Sequence, residues 1–466
     1  MTLFSGINLA LQSMLAHQQA IQVTEHNVAN ANTPGYHRQE AVLNAGPPYP
    51  YPGMSYGIYA GQMGGGVLVN QLRRFSTGLL DAQIRREQAS ASYSDRFSTL
   101  LNQVEGTLAE TTEDGVAAKL DAFWSGWQSL STDPSSLTAR ADLHTRATAL
   151  ADALNRRASD LNNLRKNQDT TITDLVSDIN TSANRIAQLN TEITRVLGIG
   201  DQPNDLLDER DRLLDHLSEL TGATSAQQEN GEVLVSLGGH ALVVGKETFA
   251  LSTTPDAANS NLLQITWPNG ATYTPSKGEL GAVLTARNQT IPAQLNGLDT
   301  LASTLAARVN TLHQSGFGLN NATGLDFFTG TDALSLRVNA TLDDVSNIAT
   351  SAAPDSPGDG SIAGQIAAVQ HELLLNGGTT TLNQYQANQA ASFGLQLSQA
   401  LSDTDTRQLV VNALSQQRES ESGISLDEEA TNLIKYQRAF EAAARLMTTM
   451  DEMLNTIING MGVVGR

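Results

Sequence analysis

The stretch GISLDEEATNLIKYQRAFEAAARLMTTMDEMLNTIING, residues 423–460, carries one unbroken pattern. Leu433, Tyr436, Phe440, Ala443, Met447, Met450, Leu454 and Ile457 recur in alternating steps of three and four, the spacing of a coiled-coil seam. Ser425, with Glu428 three positions on, reads as a capping box that starts the helix. Asp427 and Glu429 place negative charge at the positive end of its dipole.

The other end of the chain matches it. Over residues 3–31, Phe4, Ile7, Leu11, Met14, Gln18 and Ile21 follow the same alternation, and only Gln18 breaks it. The stop falls in HNVANANTPGYHRQE, residues 26–40. Asparagines (Asn27, Asn30, Asn32) tolerate left-handed conformations near a helix end, and Pro34 disfavours helix at Thr33. Pro34 and Gly35 then supply the central pair of a type II turn. The motif reads as helix stop and turn, with no catalytic arrangement in it. The chain thus begins and ends with coiled-coil seams, and its non-helical material lies between them.

Residues 46–66, with four prolines and a Gly triplet, read as a connector. A short strand from Gly66 then runs into a helix reaching about Leu108. The next helix carries Trp124 and Trp127 on one face as core anchors and stops at Asp133-Pro134. The longest signal, residues 138–196, holds Ile172, Leu175, Ile179, Ser182, Ile186, Leu189, Ile193 and Val196 in strict alternation, which indicates a rod. NDLLDERDRLLDHLSELTG, residues 204–222, is its return helix. From Ala223 the period changes to two, with a hairpin at Gly238-Gly239 and further short strands to about residue 277. Helices resume at 278, a second strand patch is expected at ALSLRVNATL (333–342), and 362–420 is helical again.

The expected fold class is mainly α with a β insertion: a long coiled-coil helical bundle built from both termini, plus a small outward β domain. The domains read as 1–45 with 426–466 (terminal assembly), 46–222 with 278–425 (helical rod) and 223–277 (β). The helical patterns on either side of 223–277 suggest that this module is separable.

Composition narrows the function. Of 466 residues, 40% are hydrophobic but only 5% aromatic, which suits helices packed on Leu, Ile and Ala. A net charge of -20 with no Lys/Arg run argues against nucleic acid as a partner. The absence of cysteine removes disulfides, thiolate metal sites and thiol nucleophiles. The N-terminal stretch lacks a basic region, and its apolar residues are interrupted, so neither a cleavable signal nor membrane insertion is expected. No catalytic, metal or cofactor-binding residues emerge. HELLL at His371 lacks the second His of a zinc helix. The acidic set Asp205, Asp208, Glu209, Asp211 and Asp215 is interleaved with Arg210 and Arg212 and reads as a salt-bridged solvent face. Two classes remain: a structural protein whose terminal helices assemble with other chains, or a secreted helical enzyme or adhesin whose β domain carries the activity.

Certain stretches decide between them. LFSGINLALQSMLAHQQAIQVTEHNVANANTPGYHRQE resembles the shared start of the flagellar rod, hook and hook-associated proteins. NDLLDERDRLLDHLSEL, KGELGAVLTARNQTIPAQLNGLDTLA with VNTLHQSGFGLNNATGLDFF, and the C-terminal stretch quoted above are similar to the hook-associated protein 1 (FlgK) family. The resemblance runs end to end, although the chain is short for that family. It implies a non-enzymatic structural subunit without cofactors at the junction of hook and filament, outside the cell. The implied partners are further copies in a ring, the hook protein, the next hook-associated junction protein, and a FlgN-like export chaperone on the C-terminal helix. Export would run uncleaved through the flagellar type III channel. Another flagellar axial protein, hook or rod subunit, is the alternative. The assembly interface is then expected on Phe4, Ile7, Leu11, Met14, Ile21, Leu433, Tyr436, Phe440, Met447, Met450, Leu454 and Ile457. Burial of one seam falls short of the entropy of ordering its helix, so both ends are expected to become ordered only on assembly.

Overall fold

A computed structural model describes residues 3–47, 64–108 and 114–461, with side chains from Gly6 to Asn459. Most of the connector at 46–66, and the side chain of Phe4, lie outside the described residues.

The chain opens with α1 (Leu3–Ala29), then β1 (Gln39–Ala45) pairs antiparallel with β2 (Val67–Arg74). The rod follows as α2 (Gly78–Leu108), α3 (Val116–Thr132), α4 (Leu137–Gly198) and α5 (Asn204–Thr221). Asp133-Pro134 ends α3, and Ser136 restarts the chain as the N-cap of α4, its hydroxyl accepting from Ala139 N–H at 3.3 Å. At 62 residues α4 is the spine of the molecule. Gly200, with φ 85°, turns it into α5.

Seven strands follow. β3 (Thr224–Gln227), β4 (Val233–Leu237), β5 (His240–Val244) and β6 (Glu247–Thr248) form one antiparallel meander. β7 (Ser252–Asp256), β8 (Leu262–Thr266) and β9 (Thr272–Tyr273) form another. Gly238 and Gly239, at φ 55° and 86°, make the tight hairpin that their pairing in the sequence suggests. The chain then returns to helix in α6 (Gly278–Thr285), a π-turn at Ala286–Thr290, and α7 (Ile291–Gln314). The patch at 333–342 gives less strand than its alternation suggests: β11 (Arg337–Val338) makes a two-residue pair with β10 (Phe328–Thr329), and 3-10 turns follow. α8 (Ser361–Ala368), α9 (Leu382–Ser422) and α10 (Leu426–Met461) complete the chain. It is mainly α with a β insertion.

Two apolar cores fill the rod. The first is centred on Phe123, Trp124, Trp127, Phe327 and Phe328, with α4 up to Leu161, α7, α8 and α9 around it. The second joins α4 from Ile172 to Ala187, Leu214, Leu217 and Leu220 of α5, and Leu280 and Val283 of α6 to the inward strand residues Val233, Val235, Leu237, Val243 and Ile265, and to Trp267 just after β8. Side-chain amides of α4 also serve the strand backbone. Asn190 donates to the carbonyls of Val233 and Gly245 (both 2.9 Å), and Asn180 both donates to and accepts from Leu251. The reading of 223–277 as separable therefore needs revision. Its strands alternate, so one of their faces must be covered, and the cover is α4, α5 and α6.

The terminal helices pair with each other within one chain, running antiparallel. A Cβ on Gly6 would meet Met450, His17 stacks on Tyr436 at 6.3 Å, and Asn27 bonds to Glu429. The expectation that each end waits for a neighbouring subunit is thus corrected: each seam is the other's first cover. The line of α10 is as read, from Leu433 to Leu454 half-buried around buried Ala443. That of α1 is displaced by one residue. Its covered stripe is Gly6, Ala10, Ser13, Ala16, Ala20, Val23, Thr24 and Asn27, while Leu11 is 43% exposed. Small side chains let α10 come close, and the larger Ile7, Met14 and Ile21 flank the contact half-buried.

Candidate assembly site at the joint of the terminal helices

Where the α1–α10 pair meets the rod, four segments are tied by one buried asparagine. Asn27, fully buried in the last turns of α1, uses its whole amide. Its Nδ2 donates to the carbonyl of Gln39 (2.8 Å) and to Glu429 Oε2 (3.0 Å). Its Oδ1 accepts from Gln39 N–H (3.0 Å) and from the Tyr36 hydroxyl (2.9 Å). Glu429 is 2% exposed in the first turn of α10, and its other oxygen accepts from Arg38 Nε at 2.7 Å. Arg38 N–H donates to the carbonyl of Ser422 at the end of α9. Burial, then the carboxylates of Asp205, Asp208 and Glu429, push the Tyr36 phenol up, so it stays a neutral donor.

The turn between these groups is Thr33–Tyr36, closed by Tyr36 N–H on the Thr33 carbonyl at 3.2 Å. Gly35 has φ 75°, and a Cβ there would come within 2.3 Å of Arg212 Cγ. Pro34 is exposed beside it. The 26–40 stretch is thus more than a helix stop. Asn30 and Thr33 cap the helix end locally, whereas Asn27 belongs to the joint.

From here an ion-pair ladder runs along α5. Gln39 Nε2 donates to Asp205, and Asn204 donates back to Gln39 Oε1, each at 3.0 Å. His37 N–H donates to Asp208 Oδ2 (3.1 Å), and Arg74 of β2 bridges Asp208 (2.6 Å) and Asp211 (2.5 Å). Arg85 of α2 bridges Asp211 (3.0 Å) and Asp215 (2.6 Å), and Glu209 pairs with Arg185 of α4. The acids are salt-bridged as read and Asp205 is exposed, but the solvent face is corrected at Asp208 and in the source of the cations. Asp208 is buried, and the cations come from β2, α2 and α4 rather than from Arg210 and Arg212. Arg210 instead points inward to Gly231 O (2.6 Å), its pKa lowered by burial, while Arg212 is exposed. Burial alone would raise the Asp211 carboxyl, but Arg74 and Arg85 outweigh it and hold Asp211 below the usual carboxylate range. These pairs lock α5 to β2 and α2. Among the described residues no group of three or more His, Asp or Glu side chains is placed to hold a metal ion.

Sequence reasoning missed Asn27, Arg38, Gln39 and Glu429 as one unit. Glu429 was legible only as a dipole charge, because its partner Asn27 lies 402 residues away.

Antiparallel terminal helices closed on a helical rod define a mainly helical class of protein, and comparison with known proteins shows which family it is. Residues 101–328 match the flagellar hook-associated protein FlgK helical domain, and residues 415–460 match the flagellar basal body rod FlgEFG protein C-terminal family. The flagellar hook-associated protein 1 of Bacillus subtilis is 31% identical over 509 aligned residues, covering 99% of both chains. That of Escherichia coli is 24% identical, covering 98% of this chain and 99% of its own. In fold, the flagellar hook junction protein FlgK of Burkholderia pseudomallei superposes with a TM-score of 0.65 at 17% identity, over 73% of this chain and all of its own. The chain belongs to the flagellar hook-associated protein 1 family.

Proposed function

We propose that the protein is a non-enzymatic structural subunit of the flagellum that joins hook to filament, and that the outer face of the α1–α10 pair is where it meets other subunits. One observation carries this reading. After the two helices have covered each other, Leu11, Leu15, Ile434, Leu446, Met453, Ile457 and Ile458 remain exposed on them. An apolar surface of that extent on a two-helix arm calls for further cover. Family membership supports an axial flagellar assembly as its source. Ile7, Met14, Ile21, Tyr436, Phe440, Met447, Met450 and Leu454 hold the arm together, and the exposed set faces neighbours. Further copies in a ring, the hook protein, the next junction protein and, before export, a FlgN-like chaperone on α10 are the proposed occupants. The proposed route is uncleaved passage through the flagellar type III channel.

The test is complementation of a strain lacking its own hook-associated protein 1. Ile434→Asp combined with Met453→Asp puts two carboxylates on the outer face and leaves the covered stripe intact. The variant should fold with unchanged helical circular dichroism, yet leave cells with hooks that bear no filaments. Normal filaments on cells that export the variant at native levels would rule the surface out.

A further inference from the structure

The two cores of the rod do not merge. Along α4 the first ends at Leu161 and the second begins at Ile172. At 1.5 Å per residue that gap is about 16 Å. The intervening residues, NNLRKNQDTT (162–171), contain a single apolar side chain, Leu164. Facing them across the rod is the π-turn, and the boundary falls there again: Ala286 belongs to the second core and Ile291 to the first. Pro292 accounts for the turn. It has no N–H for the Asn288 carbonyl and its ring crowds that carbonyl, so the helix widens and Ile291 N–H bonds back to Ala286.

The layer between the cores is polar. Arg287, 2% exposed, donates to Asp169 Oδ1 (2.5 Å) and to Asn288 Oδ1 (2.9 Å). Arg165 donates to the Arg287 carbonyl (3.1 Å) and to Asn259 Oδ1 (2.6 Å). Asp169 Oδ2 accepts from Leu263 N–H. Gln168, buried beside them, bonds to the carbonyl of Leu164 in its own helix, and its Oε1 finds no partner among the described residues. Ser94 and Ser98 of α2 continue the layer, with Thr404 of α9 against Ser98. Among the described residues only Phe97 of α2 packs on both cores.

We propose that this polar waist is a joint in the rod, across which the two cores open and close independently. Apolar cores are cooperative because every side chain removed exposes its neighbours, and a layer held by charge-assisted hydrogen bonds interrupts that transmission. Bonds of this kind can be exchanged for water as the layer opens, whereas broken apolar contacts cannot. The continuous helices α2 and α4 keep the halves attached.

The tryptophans report the two sides separately: Trp124 and Trp127 lie in the first core and Trp267 in the second. Denaturant unfolding followed by fluorescence in Trp267→Phe, and in the double variant Trp124→Phe, Trp127→Phe, should give different midpoints. Hydrogen exchange on the unmutated chain should give different opening levels for amides of 143–161 and 172–193. Replacing the waist pair with apolar residues, Arg287→Met with Asp169→Leu, should bring the two midpoints together. Coincident midpoints in both reporters, or equal exchange on both sides of the waist in the unmutated chain, would overturn the proposal. So would separate midpoints that the double replacement leaves apart.

Discussion

At the scale of single residues the joint depends on Glu429, which gives one carboxylate oxygen to Asn27 and the other to Arg38. Truncation to alanine leaves one buried amide N–H of Asn27 without an acceptor and leaves the half-buried Arg38 guanidinium only the longer, exposed pairing with Glu428. Breaking a buried charged pair costs about 3–5 kcal/mol, and partial exposure of Arg38 brings the expected loss to about 2–4. Glu429→Gln keeps an acceptor for one neighbour and should cost clearly less. Glu428→Ala, on the exposed neighbour 3.7 Å from Arg38, should stay within about 0.5 kcal/mol. Thermal melts of the three variants check this order, and equal losses at Glu428 and Glu429 would remove the joint's special status. His313 gives a pH dependence. Its Nε2 accepts from Ala349 N–H, so the ring is neutral and its Nδ1–H donates to the Leu325 carbonyl. Burial, opposed by that carbonyl and by the Asp326 carboxylate, brings the pKa down to about 4. The unfolded chain binds the proton near 6.5, so the contribution is complete above that value and is lost as pH falls from 6.5 to about 4. The loss amounts to about 3 kcal/mol at most. Against His313→Gln, the native chain's stability should therefore fall with acidification over that window, and a flat difference would show that the ring titrates normally.

At the scale of elements, what was legible depended on whether neighbours in sequence carry the signal. Repeats of three and four placed α1, α4 and α10, and Gly238-Gly239 placed a hairpin, because each is set by local spacing. β1 was not legible, since its partner β2 lies beyond the connector and its own alternation is short. The displaced stripe of α1 has a different cause. Periodicity read from hydropathy selects the largest side chains, whereas two close helices select the smallest. Ala20, 1% exposed and packed with Val23 and Tyr436, is the critical position. Ala20→Leu should overpack the pair at a cost of about 1–3 kcal/mol and raise hydrogen exchange throughout α1 and α10. Leu11→Ser, on the exposed side, should leave exchange unchanged in the isolated chain. The reverse result would return the seam to the line on which hydropathy puts it.

At the scale of the whole molecule, the β insertion tests how the parts depend on one another. An outward module on a self-sufficient rod could be replaced by a short Gly-Ser loop without consequence. Here the strands cover the second core, and removing residues 224–273 would uncover parts of Ile172, Leu175, Val176, Ile179 and Ile186 together with Leu214 and Leu217. At about 1.5–3 kcal/mol for each fully buried side chain, even half of that exposure reaches roughly 5–10 kcal/mol, which is comparable with the entire stability of a domain. Buried Asn190 would also lose the Val233 and Gly245 backbone groups that occupy its amide. The shortened chain should accordingly lose helical circular dichroism from the distal half of α4 and from α5, with exchange protection gone across 172–193. The environment of Trp124 and Trp127 should remain native, because their core is built from α2, α3, the first half of α4, α7, α8, α9 and the segment around Phe327 and Phe328, and takes no buried residue from 224–273. Full helical signal with protection retained at 172–193 would mean that the helices close over the gap by themselves, and the insertion would then be the separable domain that its flanking patterns suggest.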